Sequence, residues 1–174
     1  MAHFCELILG GARSGKSALA EQRAQATGLE LIYLATATAG DQEMSSRIGH
    51  HQQRRGAQWQ LVEEPVALAD VLRRQQGPQR CIVVDCLTLW LSNCLHRNCW
   101  EQQRDSLLQT LPELAGHIVL VSNETGLGVV PLGELSRRFV DEAGFLHQQL
   151  AALCARVTLT VAGLPLALKS PQES

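Results

Sequence analysis

Short apolar runs rich in β-branched residues alternate along this chain with stretches whose apolar positions recur every three or four residues. The runs predict strands at Cys5–Leu9, Leu31–Thr36, Arg80–Asp85, Ile118–Ser122 and Val157–Ala162. The 3.6-residue period predicts helices over Ser17–Thr27 (with Gly28 as C-cap), Asp41–Arg55, Val66–Gln76, Leu87–Leu95, Glu101–Leu114 and Gly133–Arg156. The last helix carries the clearest stripe: Leu135, Phe139, Ala143, Leu146, Leu150, Leu153 and Val157 step by three or four. Pro131 is placed to start it. The apolar Leu164–Leu168 reads as a final edge strand, and the polar tail Lys169–Ser174 as frayed. Strand–helix alternation implies an α/β fold, a mostly parallel sheet with helices on both faces. No repeat or low-complexity linker divides the 174 residues, so residues 1–174 read as one domain.

Between the first strand and the first helix stands Gly10-Gly11-Ala12-Arg13-Ser14-Gly15-Lys16-Ser17. This fits the phosphate-binding pattern G-x-x-x-x-G-K-[ST] in the strand–loop–helix setting that the pattern requires. Glycines let backbone N–H groups close around a phosphate, and the helix N-terminus adds positive potential. Lys16 is placed to reach the outer phosphates and the Ser17 hydroxyl to ligate Mg²⁺. The chain therefore reads as a P-loop nucleoside triphosphate-binding protein.

Two further strand ends carry candidate chemistry. Cys81–Asp85 is an apolar strand ending in a carboxylate, which in phosphate-loop folds lies beside the loop and holds Mg²⁺, directly or through water. A turn-forming or capping role is the alternative, and the phosphate loop favours the metal role. After Ile118–Ser122 comes Asn123-Glu124-Thr125-Gly126-Leu127-Gly128, at the carboxyl end of a strand, where open α/β sheets bind ligands. There Asn123 and Glu124 are candidates for holding a substrate hydroxyl, Glu124 alternatively for Mg²⁺, and a plain Asn/Gly turn is an equal reading.

The segment from Asp41 to Trp59 is unusual for a small kinase. On a helix at about 100° per residue, Met44, Ile48, His51 and Arg55 share one side. Arg47, His50 and Arg54 share an adjacent one. His51 thus suits packing or hydrogen bonding, whereas His50 stands between two arginines. Neutral imidazole is a nitrogen nucleophile, and its ordinary pKa near 6.5 leaves it mostly unprotonated at neutral pH. Flanking guanidinium groups disfavour imidazolium and stabilise phosphate oxygens during transfer. A solvated basic face with two ordinary histidines is the competing reading.

Composition removes other classes. Net charge is −2 and aromatics are 4% of the chain, which argues against a nucleic-acid partner. Apolar runs are far shorter than a bilayer span and no signal-peptide pattern opens the chain, so a soluble, cytoplasmic protein is expected. None of the six cysteines forms a C-x-x-C pair, so most read as small buried hydrophobes in a reducing compartment.

Taken together, these motifs resemble the bifunctional adenosylcobinamide kinase/adenosylcobinamide-phosphate guanylyltransferase family of cobalamin biosynthesis. The resemblance spans nearly the whole chain. It includes the GGARSGKS loop, Tyr33–Thr36, Asp41–Met44, and Arg47-Ile48-Gly49-His50-His51 with Arg54, Arg55, Trp59 and Glu63. It continues through Asp85–Thr88 with Asn93, Val121–Pro131, Arg138-Phe139 and Asp141–Gly144. The R-I-x-H-H helix and the N-E-x-G-x-G-x-V-P segment are its specific parts; the loop alone is generic.

The resemblance implies a RecA-like fold, a homotrimer and two reactions. ATP or GTP phosphorylates the hydroxyl on the aminopropanol arm of adenosylcobinamide. GTP then loads GMP onto a histidine, releasing pyrophosphate, and GMP passes to adenosylcobinamide phosphate to give adenosylcobinamide-GDP. The family histidine maps onto His50. Thr36, Ala37 and Thr38, then His51, Gln52, Gln53 and Arg54, would lie against the guanine nucleotide. Glu63 and Asp85 would be nucleotide-site carboxylates; at the latter position the family carries Asp or Glu. The stretch Trp90–Trp100, with Cys94, His96 and Cys99, is compact for the family and bears on how the corrinoid is held; its spacing matches no common metal site. A small-molecule P-loop kinase without a covalent step remains the alternative.

Overall fold

The computed structural model describes residues 3–37 and 58–171. Along the chain run β1 (Phe4–Gly10), α1 (Lys16–Ala26), β2 (Glu30–Ala35), β3 (Trp59–Glu63), α2 (Leu68–Gln75), β4 (Arg80–Asp85), α3 (Leu87–His96) and α4 (Trp100–Thr110). A 3₁₀ turn (Leu111–Glu113), β5 (His117–Asn123), α5 (Glu134–Leu153), β6 (Arg156–Val161) and β7 (Leu164–Lys169) follow. The strands form one seven-stranded sheet in the order β3-β2-β4-β5-β1-β6-β7. Every pairing is parallel except the β6–β7 hairpin.

Central strands bury both faces, which is why they read as continuous apolar runs. Leu7 and Leu9 of β1, with Ile32, Leu34, Ile82, Val84, Ile118 and Leu120, face a core closed by α2, α3, α4 and α5. Ile8, Tyr33, Val83, Val119 and Val121 face the other way, against Ala20 and Ala24 of α1. Small residues at those two helical positions allow close approach to the sheet.

Several boundaries move for identifiable reasons. The helix expected from Val66 begins at Leu68, because the Glu64 carboxylate accepts the Val66 and Ala67 N–H groups at 2.9 and 2.8 Å and holds them in a turn. The helix expected over Glu101–Leu114 stops at Thr110 and tightens to 3₁₀ around Pro112, which has no N–H to continue the ladder. The long helix begins at Glu134, with Gly133 as N-cap, so Pro131 lies outside it. It ends at Leu153 rather than Arg156, and Val157 belongs to β6 rather than to the helical stripe. Pairing of Arg156 with Glu6 and of Val157 with Leu7 outweighs helical periodicity there. Ala143, Leu146 and Leu150 keep the predicted buried stripe, while Leu135 and Leu153 are exposed. β3 has no counterpart in the predicted elements: its WQLVE run is partly exposed and lies on the sheet edge, so it lacks the apolar signature of a central strand. Lys169, placed in the frayed tail, closes β7 and donates to the Ala151 carbonyl at 2.9 Å. The predicted helix Asp41–Arg55 lies outside the described residues.

Far from the phosphate loop, the fully buried Glu6 is held by Arg23 at 2.7 Å, His117 at 3.1 Å and Arg156 at 3.6 Å. Burial alone would raise its pKa, but the bonds and charges of His117 and Arg23 outweigh this and hold the carboxyl below its ordinary value. A depressed folded-state pKa stabilises the fold above the unfolded value, about pH 4.3, and that contribution fades as pH falls through the folded value. Glu6→Gln is expected to lower stability by about 3 kcal/mol at neutral pH, because two arginines lose a buried counter-charge. The variant's Tm should also change less than the wild type's between pH 5 and 3; equal slopes would exclude Glu6 as the source.

Candidate nucleotide and transfer site

β1 ends at Gly10, and the chain turns through the phosphate loop into α1. Ser14 N–H bonds the Gly11 carbonyl at 3.3 Å, Arg13 has φ 55°, and Gly15 has φ 95°. That sequence of conformations makes the tight concave turn. A Cβ at Gly10 would stand 2.7 Å from the Thr160 carbonyl oxygen, so only glycine fits between the loop and β6. Lys16 opens α1, its Nζ 3.2 Å from the Gly11 carbonyl, and folds back over the loop.

A cavity of about 750 Å³ extends from this loop over the carboxyl ends of the strands. Ala12, Arg13, Ser14, Gly15, Lys16, Ser17 and Ala18 line one end. Tyr33, Ala35, Ala37, Leu61, Asp85, Cys86, Thr88, Leu89, Ser92, Asn123 and Phe139 line the rest. Asp85 reaches the same cavity as Lys16 and Ser17, although β5 lies between its strand and β1. The carboxylate thus shares the loop's cavity, as expected, with one strand intervening between the two. Asp85 Oδ2 accepts the Tyr33 hydroxyl at 2.6 Å, and the peptide bond to Cys86 is cis. Desolvation, and then the Asp85 carboxylate, push the Cys86 thiol above its ordinary pKa, so it is not a thiolate nucleophile.

Ser17 and Asp85 supply a hydroxyl and a carboxylate oxygen to one cavity. Hard oxygen donors in small number suit Mg²⁺, which takes its remaining ligands from phosphates and water. The described residues contain no cluster of three or more His, Cys, Asp or Glu able to cage a metal alone, so phosphate oxygens would have to complete the shell.

The other predicted site residues separate into four groups. Ala37 lines the cavity, but Thr36 is fully buried. Thr36 Oγ1 donates to the Cys86 carbonyl at 2.7 Å and accepts Cys86 N–H at 3.0 Å, so its hydroxyl joins β2 to the β4–α3 turn. Glu63 is exposed at the end of β3, paired in register with Ala35, outside the cavity wall. Thr38, His50, His51, Gln52, Gln53 and Arg54 lie outside the described residues. Tyr33, Leu61, Leu89, Ser92 and Phe139 complete the site without having been singled out for it. Their types carry no nucleotide signal, and only the packing of β2, β3, α3 and α5 gathers them. Asn93 ties this frame together, its amide bonding the Thr36 and Pro65 carbonyls at 2.9 and 3.1 Å.

A phosphate loop after the central β1, with a strand-end aspartate reaching its cavity across one intervening strand, defines a P-loop NTPase fold of the RecA-like kind. Solved structures agree. Flagellar accessory protein FlaH from Methanocaldococcus jannaschii is similar with a TM-score of 0.56 at 12% identity, over 98% of this chain and 80% of that one. A KaiC-like protein from Pyrococcus horikoshii is similar with a TM-score of 0.52 at 11% identity, over 90% and 70%. At such identities the likeness concerns the fold alone. Sequence is more specific. Residues 6–168 match the cobinamide kinase/cobinamide phosphate guanyltransferase family, and the chain belongs to that family. It is 60% identical over 167 residues to the bifunctional adenosylcobalamin biosynthesis protein CobP of Pseudomonas aeruginosa, covering 94% of this chain and 96% of that protein. It is 34% identical to CobU, the protein of the same description from Escherichia coli, covering 94% and 98%.

Proposed function

We infer that this chain phosphorylates adenosylcobinamide with ATP or GTP, then transfers GMP from GTP to adenosylcobinamide phosphate through a guanylyl-histidine at His50. The observation that carries this reading is the 60% identity to CobP over nearly the full length of both proteins, with the phosphate loop and Asp85 on one cavity. In the first reaction the loop N–H groups, Lys16 and the α1 N-terminus hold the triphosphate and offset charge on the transferred phosphoryl group. The acceptor oxygen attacks the γ-phosphorus and a nucleoside diphosphate leaves. In the second, neutral imidazole of His50 attacks the α-phosphorus of GTP, an N–P bond forms, and pyrophosphate leaves. The phosphate of adenosylcobinamide phosphate then attacks the same phosphorus and frees the imidazole.

Thr36, Ala37 and Thr38, with His51, Gln52, Gln53 and Arg54, are assigned to the guanine nucleotide side, and Glu63 and Asp85 to its carboxylates. Mg²⁺ bound by Ser17 and Asp85 would neutralise phosphate charge. Tyr33→Phe, which removes the donor orienting Asp85, is then expected to weaken Mg²⁺ affinity about tenfold. Titration with Mn²⁺ in the presence of nucleotide, followed by magnetic resonance, reads this directly; unchanged affinity would remove Asp85 from the metal shell.

No described helix is long and apolar enough to cross a membrane, and all six cysteines are free thiols, in keeping with work in the cytoplasm. Association into a trimer is supported by the exposed apolar edge strand β7, where Leu164, Leu166 and Leu168 are open to solvent.

Incubation with Mg²⁺ and GTP labelled at the α-phosphate tests the covalent step. Acid-labile, base-stable label on His50 is the expected result. Tight GTP binding without label would leave a phosphate-loop kinase with no covalent step.

A further inference from the structure

Helix α5 carries one buried polar residue that the chemistry above leaves unused. His147 sits on the stripe of Ala143, Leu146 and Leu150 and is 7% exposed. Its Nε2 is 2.7 Å from Oγ of the fully buried Ser122, near the carboxyl end of β5. Its Nδ1 faces Glu124 Oε2 at 3.8 Å, an electrostatic contact beyond hydrogen-bond length. Burial holds this imidazole below its ordinary pKa, against the pull of Glu124, so one ring nitrogen donates and the other accepts at neutral pH. With Ser122 donating to Nε2, the ring proton sits on Nδ1 and faces the Glu124 carboxylate.

The residues so held belong to the site. Glu124 N–H bonds the carbonyl of Gly10, the first residue of the phosphate loop, at 3.0 Å. Glu124 Oε1 accepts Gly126 N–H at 2.7 Å. Asn123, between the two contacts of His147, stands in the cavity wall and bonds Thr88 Oγ1 at 3.0 Å. Ser122, with no exposed surface, is no nucleophile despite the Ser-His-Glu order. An aliphatic residue at this position in α5 would leave the buried Ser122 hydroxyl without its partner. The geometry instead suits a strut between helix and strand end.

We propose that His147 is a positioning residue for phosphoryl transfer: by holding Ser122 and facing Glu124 it fixes the β5 end, and with it Asn123 in the cavity and the Gly10 end of the phosphate loop. This rests on the kinase reading above. A glutamine amide reaches where Nε2 lies and can keep Ser122 satisfied; an asparagine amide lies where Nδ1 does and can keep facing Glu124. His147→Leu offers neither.

The test compares the three variants in phosphorylation of cobinamide, well below each Tm. His147→Leu should lower kcat about tenfold or more while KM for ATP stays within about twofold, and Gln and Asn should each recover part of the loss. Wild-type kcat in all three, whatever their Tm, would make His147 a packing residue and overturn the proposal. So would a change confined to KM. Should His147→Leu not fold, a double-mutant cycle decides. Adding His147→Gln to Glu124→Gln should cost less than about twofold further if His147 acts through Glu124, and a full multiplicative loss would refute that route. Hydrogen exchange at the Glu124 and Gly126 amides reads the same contact without turnover and should quicken about tenfold in His147→Gln. Unaltered exchange counts against the strut whichever acceptor the enzyme uses. A wild-type enzyme inactive toward cobinamide would count against the kinase reading alone.

Discussion

His50→Ala is expected to lose guanylyl transfer by at least about 10³-fold while phosphorylation of cobinamide continues, because on the proposed covalent route the substitution removes the nitrogen that would bond to phosphorus. The γ-phosphoryl transfer needs no such atom, since its acceptor oxygen attacks phosphorus directly. Separating cobinamide, its phosphate and its GDP derivative chromatographically reads both steps in one mixture. Full GMP transfer by the variant would remove the covalent route, and loss of both steps together would show that His50 serves the triphosphate rather than carrying GMP.

Lys16→Ala should depress both reactions, each by about 10²–10³-fold, because on the proposed reading one ammonium serves the phosphates in either step. The geometry supports a local effect. Lys16 is partly exposed on the first turn of α1, and among the described residues its ammonium bonds the Gly11 carbonyl at 3.2 Å. Its loss therefore leaves no buried group unsatisfied among the described residues, and Tm should move little. A variant defective in phosphorylation but normal in GMP transfer would mean that GTP binds elsewhere when it loads His50. One loop serving both reactions requires the two losses to move together.

Much of this site is local in the chain, and that part was readable. The eight residues Gly10–Ser17 form their own concave surface from backbone N–H groups, so contiguous sequence suffices to define it. Cys81–Asp85 announced both a buried strand and the carboxylate at its end, since a strand covered on both faces must be apolar throughout. The long helix showed its stripe for the same reason, but its last residues misled. Arg156 and Val157 continue a helical period, yet they pair with Glu6 and Leu7, more than 140 positions earlier. Periodicity carries no information about such pairing. β3 was invisible because an edge strand with exposed residues keeps little of the apolar pattern.

The sequence by itself determined the nucleotide loop, the α/β layering and the family, because each rests on contiguous patterns or on types at fixed spacing. Tertiary structure decided the order of the strands, and so that Asp85 reaches the loop's cavity across β5 rather than from an adjacent strand. It also decided that the Thr36 hydroxyl is spent on Cys86, 50 positions away, and that Tyr33 orients Asp85, 52 positions away. It placed His147 of a distant helix against Ser122 and Glu124. A side chain's partner is chosen by which surfaces pack together. That choice is made by the buried core as a whole, not by the residues beside it in the chain.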